Sequence, residues 1–149
     1  MKLCLVASSG GHLMQLVRLR SAWEGHERFW VTFKKEDAKT LLEGERVVWA
    51  YHPTNRHAPN LLRNLVLAWR ILRKEKPDAV ISTGAGVGVP FLWLGRLLGI
   101  RTVFIDSLTR IQDLSLSGKL VYPVVDRFFV QWPELSLRYR RGVFGGRVL

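Results

Sequence analysis

The chain has 149 residues, enough for one domain with a full hydrophobic core and too few for two. Its net charge of +11, from 23 lysines and arginines against 12 aspartates and glutamates, favours an anionic partner: nucleic acid, a membrane surface or a phosphorylated substrate. No stretch reaches the roughly 18 uninterrupted apolar residues of a membrane-spanning helix. The single cysteine, Cys4, excludes a disulfide framework, and the N-terminus does not resemble a secretory signal, so we expect a cytoplasmic protein.

Short apolar runs alternate with segments of helical periodicity along the chain. Strands are predicted at residues 3–7, 28–33, 46–50, 79–82, 102–105 and 127–130, with a last strand or sheet edge at 142–149. Helices are predicted from residue 13, at 34–43, 60–74 and 89–98, and within 114–125. Because the strands are continuous apolar runs, they indicate a parallel sheet covered by helices on both faces. We therefore predict an α/β fold, one doubly wound domain over residues 1–149.

Three segments that follow strands form a candidate ligand site, because ligands of such sheets bind at the carboxyl ends of the strands. Glycines in the turns at 8–12 and 82–88 allow backbone amides to approach a phosphate near a helix N-terminus. The third segment, 106–110, carries a carboxylate and hydroxyls. The candidate phosphate-contacting residues are Ser9, Gly10, Gly11, Thr83, Gly84, Gly86, Gly88, Arg110 and Lys119. Alternatively, the glycines serve tight packing of helix on sheet and the basic residues are solvated charges.

One known family resembles this chain in the order and spacing of its motifs. They are SSGGHL at 8–13, STGAGVGVP at 82–90, SLSGKL at 115–120 and DRFFVQW at 126–132. The family comprises the PssD-type subunits of bacterial capsule and exopolysaccharide glycosyltransferases. These are similar to the membrane-associated subunit of the eukaryotic two-part N-acetylglucosaminyltransferase that adds the second sugar to the dolichol carrier, and more distantly to MurG-like transferases. The resemblance covers nearly the whole chain.

The resemblance implies a Rossmann-like, N-terminal and acceptor-side half of a split GT-B glycosyltransferase. A second polypeptide would hold most of the nucleotide-sugar site, and this chain would be inactive or nearly inactive without it. The implied reaction transfers a sugar, with inversion, from a UDP-linked donor to a polyprenyl-diphosphate-linked saccharide in capsule or exopolysaccharide synthesis. We expect no cofactor, and no Cys/His cluster has the spacing of metal ligands.

Two other classes of function compete with the transferase subunit. One is a non-catalytic scaffold that recruits a catalytic partner to the membrane and enhances its activity. The other is a basic nucleic-acid-binding module, which rests on the charge alone because the sequence has no RRM, KH or helix-turn-helix signature. We therefore expect no nucleic-acid partner.

Two side chains are rival candidates for the base that an inverting transfer needs to accept the proton of the acceptor hydroxyl. His12 lies at the start of a predicted helix, whose dipole disfavours the imidazolium and leaves the ring able to accept a proton. Its alternative role is a helix cap or a phosphate contact. Asp106 follows the fifth strand, where many relatives have a glutamate, so its carboxylate is one methylene shorter. Its alternative role is to cap the segment that follows.

A basic stripe on the predicted helix 60–74 suits an anionic membrane surface. The core-facing side of this helix is predicted to carry Leu61, Leu65, Ala68 and Leu72. The residues predicted to contact the membrane are Arg63, Leu67, Arg70, Lys74 and Trp93, with Arg56, His57 and Arg73 nearby. The alternative is a solvated basic face and an ordinary core helix. Because the eukaryotic relatives carry an N-terminal membrane helix and this chain starts at its first strand, attachment would be peripheral, on the inner face of the cell membrane, or through the partner.

Overall fold

The computed structural model describes residues 1–54 and 57–148; Asn55, Arg56 and Leu149 lie outside the described residues. Its centre is a seven-stranded sheet in which every neighbouring pair is parallel. The strands are β1 (Lys2–Ala7), β2 (Glu27–Phe33), β3 (Val47–Ala50), β4 (Ala79–Gly84), β5 (Arg101–Ile105), β6 (Arg127–Val130) and β7 (Gly142–Phe144). The helices are α1 (Gly11–Arg18), α2 (Arg20–Trp23), α3 (Glu36–Leu41), α4 (Ala58–Glu75), α5 (Gly88–Leu97), α6 (Leu116–Val121) and α7 (Pro133–Arg138).

The strand order is β3-β2-β1-β4-β5-β6-β7, so the chain builds one half of the sheet outward from β1 and the other half outward from β4. The winding reverses between β1 and β4, and such a switch point leaves a crevice at the carboxyl ends of the two strands. The register pairs Val6 with Ser82 and Ala7 with Gly84. The turn that starts α1 therefore lies beside the turn that follows β4.

Side chains of β1 alternate between two apolar cores on opposite faces of the sheet. Leu3, Leu5 and Ala7 pack with residues of α1, α2 and α3, whereas Cys4 and Val6 pack with residues of α4, α5, α6 and α7. Complete burial raises the pKa of the Cys4 thiol, so this residue packs as a small apolar side chain. The predicted doubly wound α/β fold is confirmed.

The ends of α4 follow simple helix rules, although the predicted boundaries of 60–74 were too narrow. His57 is the N-cap, and its Nδ1 accepts the backbone N–H of Asn60 at 3.1 Å, while Pro59 lies in the first turn. The helix ends where Lys76 adopts a left-handed φ of 47°, directly before Pro77. Helix α7 was missed by the sequence prediction, although it too has a proline in its first turn.

The buried face of α4 differs from the predicted one. Ala68 and Leu72 are buried as expected, but Leu61 is 48% exposed and Leu65 is also exposed. Conversely, Leu67 was predicted to contact a membrane but is only 5% exposed and belongs to the core. The prediction for Leu67 was therefore wrong.

Two buried asparagines explain this rotation of α4. The side chain of Asn64 accepts the N–H of Tyr51 at 2.9 Å and donates to the carbonyl of the same residue at 3.0 Å. Asn60 donates its amide to the carbonyl of Pro53 at 2.8 Å. Because these bonds hold polar residues against the segment after β3, Leu67 faces the core and the neighbouring leucines face outward.

Candidate functional site

A cavity of about 820 Å³ lies at the carboxyl ends of the strands. Its walls come from the start of α1, the turn after β4, the loop after β5 and the first turn of α6. The segment after β3 and the start of α4 complete the lining. The three predicted segments therefore meet at one site, joined by the segment after β3, which the sequence prediction did not include.

His12 is the basic side chain of the α1 wall. Its Nδ1 lies 2.9 Å from the carbonyl oxygen of Thr83, and the Thr83 hydroxyl donates back to the carbonyl of His12 at 2.5 Å. Because a carbonyl oxygen can only accept, Nδ1 carries the proton and Nε2 of the neutral ring keeps its lone pair. The half-buried ring is thus held in the tautomer that can accept a proton at Nε2.

The glycines at the end of β4 and directly after it are closely packed. At Gly84, which has a φ of +111°, a Cβ would lie 3.0 Å from Nδ1 of His12. A Cβ at Gly88 would lie 2.3 Å from the hydroxyl of Ser82, and one at Gly86 would lie 3.3 Å from the hydroxyl of Thr54. Gly84 and Gly86 line the cavity, whereas Gly88 is buried behind it. For Gly88 the geometry favours the packing interpretation.

An internal carboxylate occupies part of the first glycine turn. The backbone N–H of Gly10, which has a φ of +83°, donates to the carboxylate of Asp37 at 2.7 Å. A phosphate would have to displace this negative charge to use the same N–H. Nothing in the sequence singled out Asp37, which lies in the polar helix α3.

The predicted phosphate contacts separate into two groups. Arg110 lines the cavity together with Gly84 and Gly86. Among the described residues, the lining does not include Ser9, Gly10, Gly11, Thr83, Gly88 or Lys119.

Lys119 forms an ion pair outside the cavity. Its ammonium lies 2.8 Å from the carboxylate of Asp113. Hydrogen bonds from Lys119 and from the Tyr139 hydroxyl, together with the N–H of Leu114, lower the pKa of Asp113, and the same pair raises the pKa of Lys119. The cation is thus already matched by an anion of the same chain.

Asp106, the rival base, is buried and holds the loop that follows it. The residue is 1% exposed, and its Oδ1 accepts the N–H of Ser107 at 2.9 Å and the hydroxyl of Ser115 at 2.7 Å. Its Oδ2 accepts the N–H of Ser115 at 3.0 Å. The cavity is lined by both serines but not by Asp106 itself. These contacts favour the capping interpretation of Asp106 over a base.

Several lining residues were not named individually as contacts by the sequence prediction, although Ser107 and Thr109 lie in the predicted segment 106–110. The hydroxyl-bearing ones come from the loop after β5 and from the start of α6; they are Ser107, Thr109, Ser115 and Ser117. The segment after β3 contributes Thr54 and His57. The hydroxyls beside Asp106 were a usable signal, and so was the position of residues 51–57 directly after a predicted parallel strand, which the sequence prediction did not use.

An exposed apolar surface begins at the rim of the cavity. Leu61, Leu116 and Leu120 line the cavity and are themselves exposed. Trp93 lies beside them, half-exposed, with its indole N–H donating to the carbonyl of Leu120 at 3.0 Å. The outer side of α4 extends this surface with further exposed residues, which are Leu62, Leu65, Val66 and Trp69. We call all of these residues together the apolar face.

Basic side chains flank the apolar face on α4. Arg63, Arg70, Arg73 and Lys74 are all exposed. The guanidinium of Arg73 stacks over the ring of Trp69 at 5.2 Å. The predicted basic stripe is therefore present. The apolar residues beside it are exposed leucines and Trp69 rather than the predicted Leu67.

Two kinds of feature are absent from the described residues. No helix in residues 1–54 and 57–148 combines the length and the apolar character needed to cross a membrane. Within the same residues, no three His, Cys, Asp or Glu side chains are grouped so that they could hold a metal ion.

Comparisons with known proteins agree on one family. The family described as "Oligosaccharide biosynthesis protein Alg14 like" matches residues 52–148. The chain is 29% identical, over an alignment of 178 positions, to the "UDP-N-acetylglucosamine transferase subunit ALG14" of Rattus norvegicus. This match covers 99% of the chain and 82% of the rat protein.

Solved structures establish the fold. MurG of Acinetobacter baumannii has a TM-score of 0.72 at 18% identity over 89% of this chain and 41% of that chain. The MnaA–UDP co-structure from S. aureus has a TM-score of 0.77 at 14% identity over 99% and 45%. The chain thus spans less than half the length of either structure and has the Rossmann-like fold of the N-terminal half of GT-B enzymes such as MurG. Because the family match extends over well over half of its residues, this chain belongs to the Alg14-like family of oligosaccharide biosynthesis proteins.

Proposed function

We propose that this chain is the acceptor-binding, membrane-associated subunit of a two-subunit inverting glycosyltransferase. The pair transfers a sugar from a UDP-linked donor to a polyprenyl-diphosphate-linked saccharide in capsule or exopolysaccharide synthesis. The observation that carries the proposal is the cavity, which holds His12 on one wall and continues into the apolar face on another. A lipid-linked saccharide requires this combination, because its sugar needs a polar pocket and its lipid an apolar surface.

The relatives support the donor and the reaction class. The rat protein carries the name of a UDP-N-acetylglucosamine transferase subunit, which favours a UDP-linked sugar as the donor. The word "subunit" in that name favours a second polypeptide in this system as well. The two solved structures of similar fold are more than twice as long, and this chain matches less than half of each.

His12 is the proposed base. The Thr83 carbonyl fixes Nδ1 as the protonated nitrogen, so Nε2 can accept the proton of the acceptor hydroxyl. As that proton leaves, the acceptor oxygen attacks the anomeric carbon and the bond from this carbon to the UDP oxygen breaks. Arg110 at the rim is the proposed contact for the acceptor diphosphate.

The apolar face is the proposed membrane contact. Exposed leucines and tryptophans penetrate the interface, while Arg63, Arg70 and Lys74 contact anionic headgroups. Because Leu61 belongs both to this face and to the cavity, a docked lipid-linked acceptor passes from the bilayer to the site without crossing water. The chain then lies on the inner face of the cell membrane.

A non-catalytic scaffold is the second candidate function. The contact between Asp37 and the Gly10 N–H favours it, because a built-in carboxylate occupies an amide that a phosphate would otherwise use. In this case the chain brings the partner to the membrane, and the pair keeps its turnover when the His12 ring is removed.

Reconstitution tests the proposed function. Transfer to a short-chain polyprenyl-diphosphate saccharide is measured with this chain, with a Rossmann-type nucleotide-sugar-binding protein encoded beside it, and with both together. We expect transfer only from the pair, because these residues form the acceptor-side half of the proposed enzyme and the partner binds the nucleotide sugar. Substantial turnover by this chain alone would overturn the two-subunit proposal.

A further inference from the structure

The cavity has a wall of hydroxyl groups that is joined to one buried carboxylate. We call Ser107, Thr109, Ser115 and Ser117 the hydroxyl wall; all four line the cavity. Building on the proposed acceptor site, we propose that Asp106 is a positioning residue that holds the hydroxyl wall in the arrangement that binds the acceptor. Hydroxyls both donate and accept hydrogen bonds, so such a wall suits the hydroxyls of a saccharide.

The carboxylate of Asp106 joins the two ends of the loop between β5 and α6. It accepts bonds from Ser107, its neighbour, and from both the N–H and the hydroxyl of Ser115, nine positions later. The Ser115 hydroxyl in turn accepts the N–H of Gly118 at 2.9 Å, which caps α6. One side chain therefore sets the distance between the end of β5 and the start of α6.

Asp106 is itself fixed by its surroundings. Its carbonyl accepts the side-chain N–H of Gln131 at 2.9 Å, and Gln131 is buried. A Cβ at Gly118 would lie 2.8 Å from Oδ2 of Asp106, so the glycine leaves the space that the carboxylate fills. The carboxylate thus has one position available in the packed structure.

The hydrogen bonds continue from Asp106 into the wall. The Ser107 hydroxyl lies 2.9 Å from that of Thr109 and accepts the Thr109 N–H at 3.2 Å. Fixing the backbone of Ser107 therefore also fixes Thr109.

A base, by contrast, must reach the proton that it removes, and the buried Asp106 is absent from the cavity lining.

The test uses Asp106→Asn with Asp126→Asn as its matched control. The Asp106→Asn side chain keeps the shape of the carboxylate but presents an NH₂ group in place of one acceptor oxygen. Asp126 binds Thr102 and Arg96 at the opposite end of β5, so its loss removes equivalent bonds far from the cavity. Amide hydrogen exchange is measured on the chain without substrate, and kcat, the acceptor KM and their pH dependence are measured on the assembled pair.

We expect Asp106→Asn to accelerate exchange at Ser107, Ser115 and Gly118 by about tenfold, the effect of losing a charged hydrogen bond. We expect the acceptor KM to rise by about tenfold, while the pH dependence of kcat stays that of the wild type. Asp126→Asn should leave both the exchange of these amides and the acceptor KM unchanged.

Three results would overturn the proposal. The first is unchanged exchange in the hydroxyl wall of Asp106→Asn. The second is a fall in kcat of a hundredfold or more with loss of its pH dependence, which would make Asp106 the base. The third is an equal rise in KM from Asp126→Asn. A wild-type pair that transfers no sugar would instead overturn the proposed function, while the exchange data still report on Asp106.

A second variant separates positioning from loss of folding. Ser115→Ala keeps the carboxylate but removes the hydroxyl that it binds. If Asp106 acts through Ser115, the increases in acceptor KM from the two substitutions are not additive in the double variant. Fully additive effects would show that the two residues act independently and would contradict the proposal.

Discussion

At the amino ends of the strands, charged side chains pair with one another, whereas at the carboxyl ends polar side chains surround a cavity. Lys2 and Arg46 both contact Glu75, at 3.1 and 2.6 Å, and Arg96 contacts Asp126 at 2.6 Å. At the other end, His12 and the hydroxyl wall face the cavity. The charged groups named at the amino ends are thus matched within the chain, whereas the carboxyl ends carry the candidate ligand site.

Removal of the His12 ring should change the activity of the pair more than any other substitution considered. His12→Ala should lower kcat of the assembled pair by about 10²- to 10⁴-fold, the usual effect of removing a positioned base. The acceptor KM should change much less, because a base acts mainly in the transition state. Steady-state kinetics at varied acceptor concentration measures both values.

His26→Ala is the matched control for this variant. His26 lies at the amino ends of the strands and should leave kcat unchanged. A rise in KM with nearly intact turnover for His12→Ala would instead make His12 a phosphate contact. A fall in kcat of less than about tenfold for His12→Ala would place the proton acceptor elsewhere.

The next prediction tests whether the basic residues beside the apolar face contribute to membrane binding. Changing Arg63, Arg70 and Lys74 to glutamate should weaken binding to anionic liposomes by roughly a hundredfold or more at low salt, since each basic residue contributes about 1 kcal/mol. Co-sedimentation with anionic and neutral vesicles measures this. The control is the same change at Lys34, Lys35 and Lys39, which alters the net charge equally on α3 and the turn before it.

Equal weakening by both triple variants would show that net charge, and not this face, governs binding. Unchanged binding of the α4 variant would place the membrane contact elsewhere.

A smaller effect is expected from Gly88, a glycine that packs behind the cavity at the carboxyl ends of the strands. Gly88→Ala should destabilise the fold by about 1–3 kcal/mol, because the new Cβ meets the Ser82 hydroxyl. Gly25→Ala, where a Cβ meets nothing within 4 Å, should be nearly neutral. Urea unfolding of both variants measures the difference, and equal stability of the two would contradict the packing interpretation.

The smallest effect is expected at the amino end. The Arg46 hydrogen bond, followed by that of Lys2, lowers the pKa of Glu75 from 4.5 to about 2. A lowered pKa stabilises the fold above about pH 4.5, and this contribution is lost as the pH falls toward 2. Because Arg46 is 55% exposed, solvent screens the pair and the contribution is about 1 kcal/mol or less.

Urea unfolding at pH 7 and pH 3 tests this contribution. The difference in free energy of unfolding between wild type and Glu75→Gln should shrink at pH 3, whereas Glu43→Gln, at an exposed position, should show no such change. A difference that grows toward low pH would contradict the assigned ion pair.

The sheet and the position of the site could be predicted because they depend on local patterns. Apolar runs that end in glycines mark the strands, and the carboxyl ends of parallel strands must meet. The sequence therefore places His12, Gly84 and Arg110 at one site, and all three line the cavity.

The remaining features depend on contacts between distant residues. The rotation of α4 is set by Asn60 and Asn64, whose partners lie in the segment after β3, so periodicity alone assigned Leu67 to the wrong face. Likewise, the sequence could not place Asp37 against Gly10. It also could not show that Ser107 and Ser115 donate hydrogen bonds to the carboxylate of Asp106.

We propose that this chain binds the lipid-linked acceptor and that its partner binds the nucleotide sugar. Amide hydrogen exchange of the isolated chain, with a short-chain polyprenyl-diphosphate saccharide or with a UDP-sugar, tests it most directly. We expect the acceptor to protect segments 84–89 and 107–120, which contain many of the residues that line the cavity, and the UDP-sugar to protect neither. Protection of these segments by the UDP-sugar, or none by the acceptor, would contradict the claim.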